Sequence, residues 1–128
     1  MTETHILALY GLLVIVTLIA QATGMMTQLG MGYLLSSRDE HRTVKGISGR
    51  LDRAFNNSIT AMVLFAPAVL ILTVMQATSN QTLLAAQAFL IARIVYLPAY
   101  AFRITGLRSL AWVVGIAATA LLYFNALV

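Results

Sequence analysis

Two sets of polar residues, each spaced as on one face of an α-helix, interrupt an otherwise apolar chain. The first set is Arg50, Arg53, Asn57 and Thr60, and the second is Arg93, Tyr96, Tyr100 and Arg103. At about 100° per residue, each set falls within an arc of about 80°. A guanidinium binds a carboxylate through paired charge-assisted hydrogen bonds, and Asn and Tyr side chains add donors of their own. Each face is therefore suited to holding an anionic ligand.

The composition indicates that these faces lie within a membrane protein. Of the 128 residues, 60% are hydrophobic and 9% are charged. A soluble domain carries roughly 25% charged residues, so this composition excludes a soluble enzyme. The chain contains no Cys, which excludes disulfides, thiolate metal sites and a cysteine nucleophile. Any thiol chemistry would therefore use a thiol of the substrate.

Four apolar runs are long enough to position the two polar faces inside a bilayer, since a helical span needs about 20 residues. The runs are residues 6–36, 55–76, 83–102 and 110–128. They predict an all-α fold, an integral membrane four-helix bundle that forms a single domain over residues 1–128. The length leaves no room for a large transporter built from two multi-span repeats.

The basic residues outside the spans are unevenly distributed. Five lie in or beside the first loop and two bound the third, namely Arg38, Arg42, Lys45, Arg50 and Arg53, then Arg103 and Arg108. Because Lys and Arg are enriched in cytoplasmic loops, loops one and three are predicted to be cytoplasmic. Both termini would then lie on the non-cytoplasmic side. The compact loops and the absence of a targeting signal favour a bacterial inner membrane.

The position of Arg93 is not explained by the enrichment of basic residues in cytoplasmic loops. It lies near the middle of the third run, where a guanidinium costs about 2.5–3.5 kcal/mol unless it faces a partner or a watery cavity. The acidic residues lie elsewhere, at Glu3, Asp39, Glu40 and Asp52. An anionic ligand is therefore a candidate partner for Arg93. For Arg50 and Arg103 an alternative stays open, in which their side chains extend to lipid head groups.

At these residues the chain resembles the MAPEG family, the membrane-associated proteins in eicosanoid and glutathione metabolism, in a bacterial-type form. Residues 49–60 read GRLDRAFNNSIT, similar to the family pattern of two Arg three apart, then Ala, Asn and Glu. Residues 92–100 read ARIVYLPAY, similar to the family block Arg-x-x-Tyr-x-x-x-Tyr. Arg108, followed by Trp112 and Gly115, resembles the start of the family's fourth span. The resemblance covers the whole chain.

The resemblance implies a homotrimer of four-helix subunits that binds glutathione as a co-substrate between neighbouring subunits, near the cytoplasmic face. Arg108 matches the Arg that stabilises the glutathione thiolate in catalytic members. A guanidinium near the sulfur lowers the thiol pKa, and only the thiolate is an effective nucleophile. Five further positions match residues that contact glutathione: Arg53, Asn57, Arg93, Tyr96 and Tyr100.

The chain also departs from the family pattern. Thr60 stands where the pattern has Glu, and Thr supplies no negative charge for the ammonium group of glutathione. Phe55 replaces a usual polar residue, and Arg108 follows Tyr100 by eight residues, a spacing that differs among family branches. A pocket that has lost the carboxylate but kept its cations would suit a different anion, including a lipid or a fatty acid.

Other kinds of site find little support. His5 and His41 are single and far apart in sequence, so no metal site is expected. There is no phosphate-binding loop and no Ser/His/Asp set. A chain this hydrophobic needs no nucleic-acid partner to explain its positive charge.

Three interpretations of function follow. The leading one is a glutathione-dependent enzyme that conjugates or reduces lipophilic electrophiles from the bilayer, and both reactions would begin with the same thiolate. The second, favoured by Thr60, is a non-catalytic relative that binds lipid or acts as a membrane scaffold. The third is a small multidrug transporter, which is disfavoured because a proton-coupled cation exporter needs a carboxylate inside a span.

Overall fold

The computed structural model describes residues 1–36 and 45–128, and the described chain is helical without strands. The helices are α1 (Glu3–Leu29), α2 (Met31–Leu34), α3 (Gly46–Val74), α4 (Asn80–Ala101) and α5 (Thr105–Leu127). All except the four-residue α2 are long and apolar enough to cross a membrane. The predicted all-α fold with four spans is therefore confirmed.

Two helix boundaries differ from those predicted. The first apolar run does not form one helix, because α1 ends at Leu29 and Gly30 adopts a φ of 86°, which favours glycine. The second run begins at residue 55, but α3 already begins at Gly46. Arg50 and Arg53 therefore lie on α3 with Asn57 and Thr60, as their helical spacing predicted. The predictions for Arg38, Asp39, Glu40, His41 and Arg42 lie outside the described residues.

Reciprocal hydrogen bonds fix the starts of α1 and α4. Thr2 Oγ1 accepts from the His5 backbone N–H, and the His5 ring accepts from the Thr2 backbone N–H. Ser79 and Thr82 form the same arrangement at the start of α4. Such capping boxes satisfy backbone donors that have no partner within the helix. His5 thus has a structural role at the N-terminus of α1.

An aromatic core joins three of the long helices. The rings of Phe65 and Phe89 stack with centroids 3.9 Å apart, and Tyr10 meets Phe89 edge-on at 4.9 Å. We call these three residues the aromatic core, and each is at most 1% exposed. Because the stack holds α3 against α4 while Tyr10 anchors α1, it sets the spacing of the helices that carry the polar faces.

Polar contacts join α1 to the first half of α3. Gln21 donates to Asp52 Oδ1 at 2.9 Å, and the Gln28 side-chain amide both accepts from and donates to the Lys45 backbone. The helices approach closely at Gly24, where an added Cβ would lie 2.8 Å from Ser48 Cβ. These contacts fix the orientation of α3 about its axis, and with it the direction of Arg50 and Arg53.

Candidate functional site

Arg93 lies inside the bundle and is 2% exposed. Its terminal nitrogens donate to Asn57 Oδ1 at 2.9 Å and to Ser58 Oγ at 3.0 Å. The guanidinium carbon lies 4.1 Å from the centre of the Tyr96 ring, a distance typical of a cation–π contact. The third nitrogen of the guanidinium group, Nε, is buried without a hydrogen-bond partner. Arg93 therefore faces the protein interior, as predicted, and its hydrogen-bond partners are neutral.

Ser58 is the residue of this site that the sequence analysis missed. Its hydroxyl accepts from Arg93 and donates to the Ala54 carbonyl at 2.8 Å. Its own backbone carbonyl accepts from the hydroxyl of Tyr10 at 2.8 Å. Ser58 thus connects the aromatic core to Arg93. The sequence feature that could have indicated Ser58 is a small polar residue directly after Asn57 in an apolar span.

Arg53 and Arg108 meet at Tyr100. Arg53 Nε donates to the Tyr100 hydroxyl at 3.2 Å, and the guanidinium carbon of Arg108 lies 4.9 Å from the Tyr100 ring centre. The Tyr100 ring in turn lies 5.7 Å from that of Tyr96. Continuous contacts therefore join all six predicted site residues. We call them the arginine cluster: Arg53, Asn57, Arg93, Tyr96, Tyr100 and Arg108.

Arg103 does not belong to the polar face of α4, so that prediction was wrong. The helix ends at Ala101, and Arg103 lies exposed in the following turn with a φ of 63°. A helical period cannot be extended past the end of its helix, so the offset from Arg93 no longer applies. Arg50 Nε instead donates to the Ala101 carbonyl at 2.7 Å. A guanidinium at this position satisfies a free carbonyl at the C-terminus of α4.

Two cavities adjoin the arginine cluster. The outer cavity, of about 480 Å³, is lined by Tyr96, Tyr100, Arg108, Ser109, Trp112 and Val113. The inner cavity, of about 200 Å³, is lined by residues of α3, α4 and α5. These are Asn57, Thr60, Ala61, Leu64, Phe89, Arg93, Trp112, Gly115, Ile116 and Thr119. Trp112 lines both cavities.

Thr60 lines the inner cavity from α3. Its hydroxyl donates to the Asn56 carbonyl of the preceding turn at 3.2 Å, so it is bonded within its own helix, and it adds no charge to the site. Asp52, in the same helix, accepts from Gln21 of α1. Within residues 1–36 and 45–128, no three His, Asp or Glu side chains gather at a possible metal site.

The arrangement brings three guanidinium groups, two phenols and an amide to one side of the bundle. Arg108 lies half-buried in the first turn of α5, and Arg53 is exposed on α3. Such a set can hold carboxylates through charge-assisted hydrogen bonds, and Arg108 would stabilise a negative charge that forms in the outer cavity.

Comparison with known proteins yields one match. A family model described as the MAPEG family matches residues 4–128. No curated protein and no solved structure matches the chain.

Proposed function

Because the chain belongs to the MAPEG family, we propose that it is a glutathione-dependent membrane enzyme acting on lipophilic electrophiles. The observation that carries this proposal is the arginine cluster, in which contacts at Tyr100 bring Arg53 and Arg108 together beside the outer cavity. Glutathione has two carboxylates for guanidinium groups to bind, and its thiol needs a nearby cation to ionise at neutral pH.

In this proposal Arg108 is the catalytic residue. Its guanidinium stabilises the thiolate in the outer cavity, and Arg53, Asn57, Arg93, Tyr96 and Tyr100 hold the rest of the tripeptide. The thiolate sulfur forms a bond to an electrophilic carbon, and the displaced electron pair moves onto the electrophile, which is then protonated. A peroxidase reaction would begin with the same thiolate. The electrophile would enter sideways from the bilayer.

We extend the proposal to a homotrimer in a bacterial inner membrane, with loops one and three on the cytoplasmic side. What supports a multimer is the exposed polar surface of α3. Arg53, Asn56 and Thr60 are all exposed, and in a lone subunit these side chains would meet lipid, which offers no hydrogen bonds. A neighbouring subunit would cover this surface and complete the glutathione site.

The test is titration of the detergent-solubilised protein with glutathione, following heat of binding and the ultraviolet absorbance of the thiolate. We expect saturable binding and a thiolate signal in the wild type. Arg108→Ala should lose the thiolate signal while keeping its oligomeric state. The matched control is Arg103→Ala, which removes an exposed Arg outside the cluster and should behave as the wild type. A wild type without saturable glutathione binding would overturn the proposal.

Thr60 favours a second candidate, a non-catalytic relative that binds lipid or supports another membrane protein. Its position in the inner cavity lacks the carboxylate that would hold an ammonium group. Thr60→Glu restores that charge and, under the main proposal, should tighten glutathione binding. Turnover of generic electrophiles that disappears in Arg108→Ala would exclude the non-catalytic candidate.

A further inference from the structure

A further cavity lies at the end of the bundle opposite the arginine cluster, where α1 begins and α3 ends. It has a volume of about 300 Å³, and we call it the polar end cavity. Its lining residues are Thr2, Glu3, Thr4, Thr73, Gln76 and Thr78. From Arg53 to Thr73, α3 rises about 30 Å. This cavity is therefore separate from the arginine cluster and has no part in the proposed function.

Glu3 is the charged residue of the polar end cavity, and its side chain has no partner. The residue is 5% exposed, yet its carboxylate accepts no hydrogen bond and forms no ion pair within residues 1–36 and 45–128. Unlike Arg93 Nε, neither carboxylate oxygen is completely enclosed. A carboxylate that is nearly buried is stable when it is paired with a positive charge and accepts hydrogen bonds. The structure therefore favours a cation that carries hydrogen-bond donors.

The groups next to Glu3 do not supply this cation. The lining contains no basic residue. The Thr2 hydroxyl bonds to the Thr4 hydroxyl and to the His5 ring, each at 2.8 Å. The N-terminus of α1 carries about half an elementary charge, which favours an ionised Glu3 but does not neutralise it. The remaining negative charge faces the cavity.

The turn after α3 contains a glutamine where a glycine is usual. Gln76 has a φ of 53°, and the N–H groups of Gln76 and Ala77 donate to the Thr73 and Leu72 carbonyls. This is the Schellman pattern that ends many helices, and glycine adopts its left-handed residue at the lowest cost. In the part of the chain that the structure describes, the Gln76 side-chain amide makes no hydrogen bond. Its oxygen is therefore a second acceptor on the cavity lining.

We propose that the polar end cavity binds a primary ammonium group, with Glu3 supplying the charge and Gln76 and Thr78 further acceptors. A primary ammonium has one positive charge and three N–H donors, which match one carboxylate beside neutral oxygens. A quaternary ammonium is bound by aromatic rings, and this lining contains none. Calcium takes roughly six to eight oxygen ligands, several from carboxylates, whereas the cavity has a single carboxylate.

The position of the cavity favours the head group of an ethanolamine phospholipid as the source of the ammonium. Glu3 is the first residue of one membrane-spanning helix, and Thr73 lies in the last turn of another. The polar head groups of a bilayer lie at the ends of such helices. Thr73, Gln76 and Thr78 are exposed, so the cavity is open to them. A soluble primary amine presents the same group, so the test includes both.

Native mass spectrometry of the detergent-solubilised protein resolves individual bound lipids. The probe is palmitoyl-oleoyl phosphatidylethanolamine, compared with the phosphatidylcholine that carries the same acyl chains. Because the two lipids share their phosphate and acyl chains, contacts with Arg side chains or apolar surface contribute equally to both. We expect phosphatidylethanolamine to bind about tenfold more tightly, through charge-assisted hydrogen bonds to Glu3. Equal affinity for the two lipids would overturn the proposal.

Glu3→Gln removes the charge with little change of shape and should abolish the preference for phosphatidylethanolamine. The matched control is Asp52→Asn, which makes the same change near the start of α3 and should keep the preference. The denaturation midpoint, followed by circular dichroism, reports whether each variant is folded. A preference that survives Glu3→Gln would refute the proposal.

Gln76→Gly tests the site without strain, because glycine suits the φ of 53°. The variant should remain folded and bind phosphatidylethanolamine about threefold more weakly, since it loses one acceptor. Its control is Gln81→Ala, which alters an exposed glutamine outside the cavity and should bind as the wild type. Unchanged binding by Gln76→Gly would remove Gln76 from the site and contradict the proposal.

Competition identifies the source of the ammonium. Displacement of the lipid by ethanolamine would show that the ammonium alone is recognised, and lipid binding that ethanolamine leaves unchanged would assign the site to the intact head group. Choline has no N–H donor and should not compete, so displacement by choline equal to that by ethanolamine would refute the proposal.

Arg108→Ala separates this inference from the proposed function. It should lose the glutathione thiolate signal but keep the preference for phosphatidylethanolamine, because Arg108 lies at the other end of the bundle. A protein that binds no glutathione can therefore still have this site. A preference that is lost in Arg108→Ala but kept in Glu3→Gln would place the lipid at the arginine cluster and overturn the inference.

Discussion

Helices α3 and α4 carry two contrasting regions, about two turns apart on α3 and one turn apart on α4. In the aromatic core, Phe65 and Phe89 stack and the Tyr10 hydroxyl donates to the Ser58 carbonyl, so the rings and the one polar group have partners within the chain. In the arginine cluster, Arg93 has neutral partners and one nitrogen with none. The aromatic core therefore holds the helices together without a ligand. The second region leaves a buried guanidinium with neutral partners and one unpartnered nitrogen, so an anionic partner would stabilise it.

The strongest test of this contrast substitutes one residue in each region and compares the free energies of unfolding. Phe65→Ala should lower the free energy of unfolding by about 3–5 kcal/mol, because it leaves a cavity against Phe89. Arg93→Met should lower it by less than about 2 kcal/mol. It leaves Asn57 and Ser58 without their donor but also removes a buried charge that lacks an anion. Denaturation in mixed micelles, followed by circular dichroism, measures both.

The same two variants should rank in the opposite order when glutathione binding is measured. Arg93→Met should abolish saturable binding of glutathione, and Phe65→Ala should retain it wherever the protein stays folded. An Arg93→Met variant that unfolds more easily than Phe65→Ala would show that Arg93 serves mainly the fold, and the contrast between the two regions would not hold.

A smaller effect should appear where the two regions join. Tyr10→Phe keeps the ring but removes the hydrogen bond to the Ser58 carbonyl, at a cost of about 0.5–1.5 kcal/mol. The control is Tyr123→Phe, which removes a similar bond to the Leu64 carbonyl at a similar cost. Because Ser58 also accepts a hydrogen bond from Arg93, only Tyr10→Phe should weaken glutathione binding. Equal binding by the two variants would mean that Ser58 does not connect the regions.

The smallest effect concerns the end of α4. Arg50→Ala frees the Ala101 carbonyl and should cost about 1 kcal/mol, since the side chain is only half-buried. Arg103→Ala, in the exposed turn beside it, should leave the denaturation midpoint unchanged. Equal midpoints for the two variants would show that the Arg50 contact does not stabilise the helix terminus.

Hydropathy was enough to predict the four spans, because their apolar runs are long and uninterrupted. It placed the start of α3 too late, since the first turns of that helix carry Arg50 and Arg53 and pack through polar contacts to α1. The break at Gly30 depends on one backbone angle, which an apolar run does not reveal. Hydropathy follows burial in lipid, so it misses helical turns that lie beyond the apolar segment.

Periodicity was enough to place Arg53 and Asn57 on one face of α3 and Arg93, Tyr96 and Tyr100 on one face of α4, whereas Arg108 on α5 was identified only through the family resemblance. It failed at Arg103, where α4 had already ended, and it overlooked Ser58. A serine is too common in membrane helices to be singled out, and its importance comes from its contacts with Tyr10 and Arg93 in three dimensions. The identity of hydrogen-bond partners therefore needed the folded chain.

Trp112 has one further consequence, since a single indole ring forms a wall of both cavities. A ligand that moves this ring from one side changes the shape of the space on the other. By thermodynamic linkage, the factor by which any occupant of the inner cavity alters affinity in the outer cavity must equal the factor in the opposite direction. The ring thus couples the affinities of the two cavities. The coupling free energy is favourable if displacement of the ring enlarges the neighbouring space and unfavourable if it narrows it.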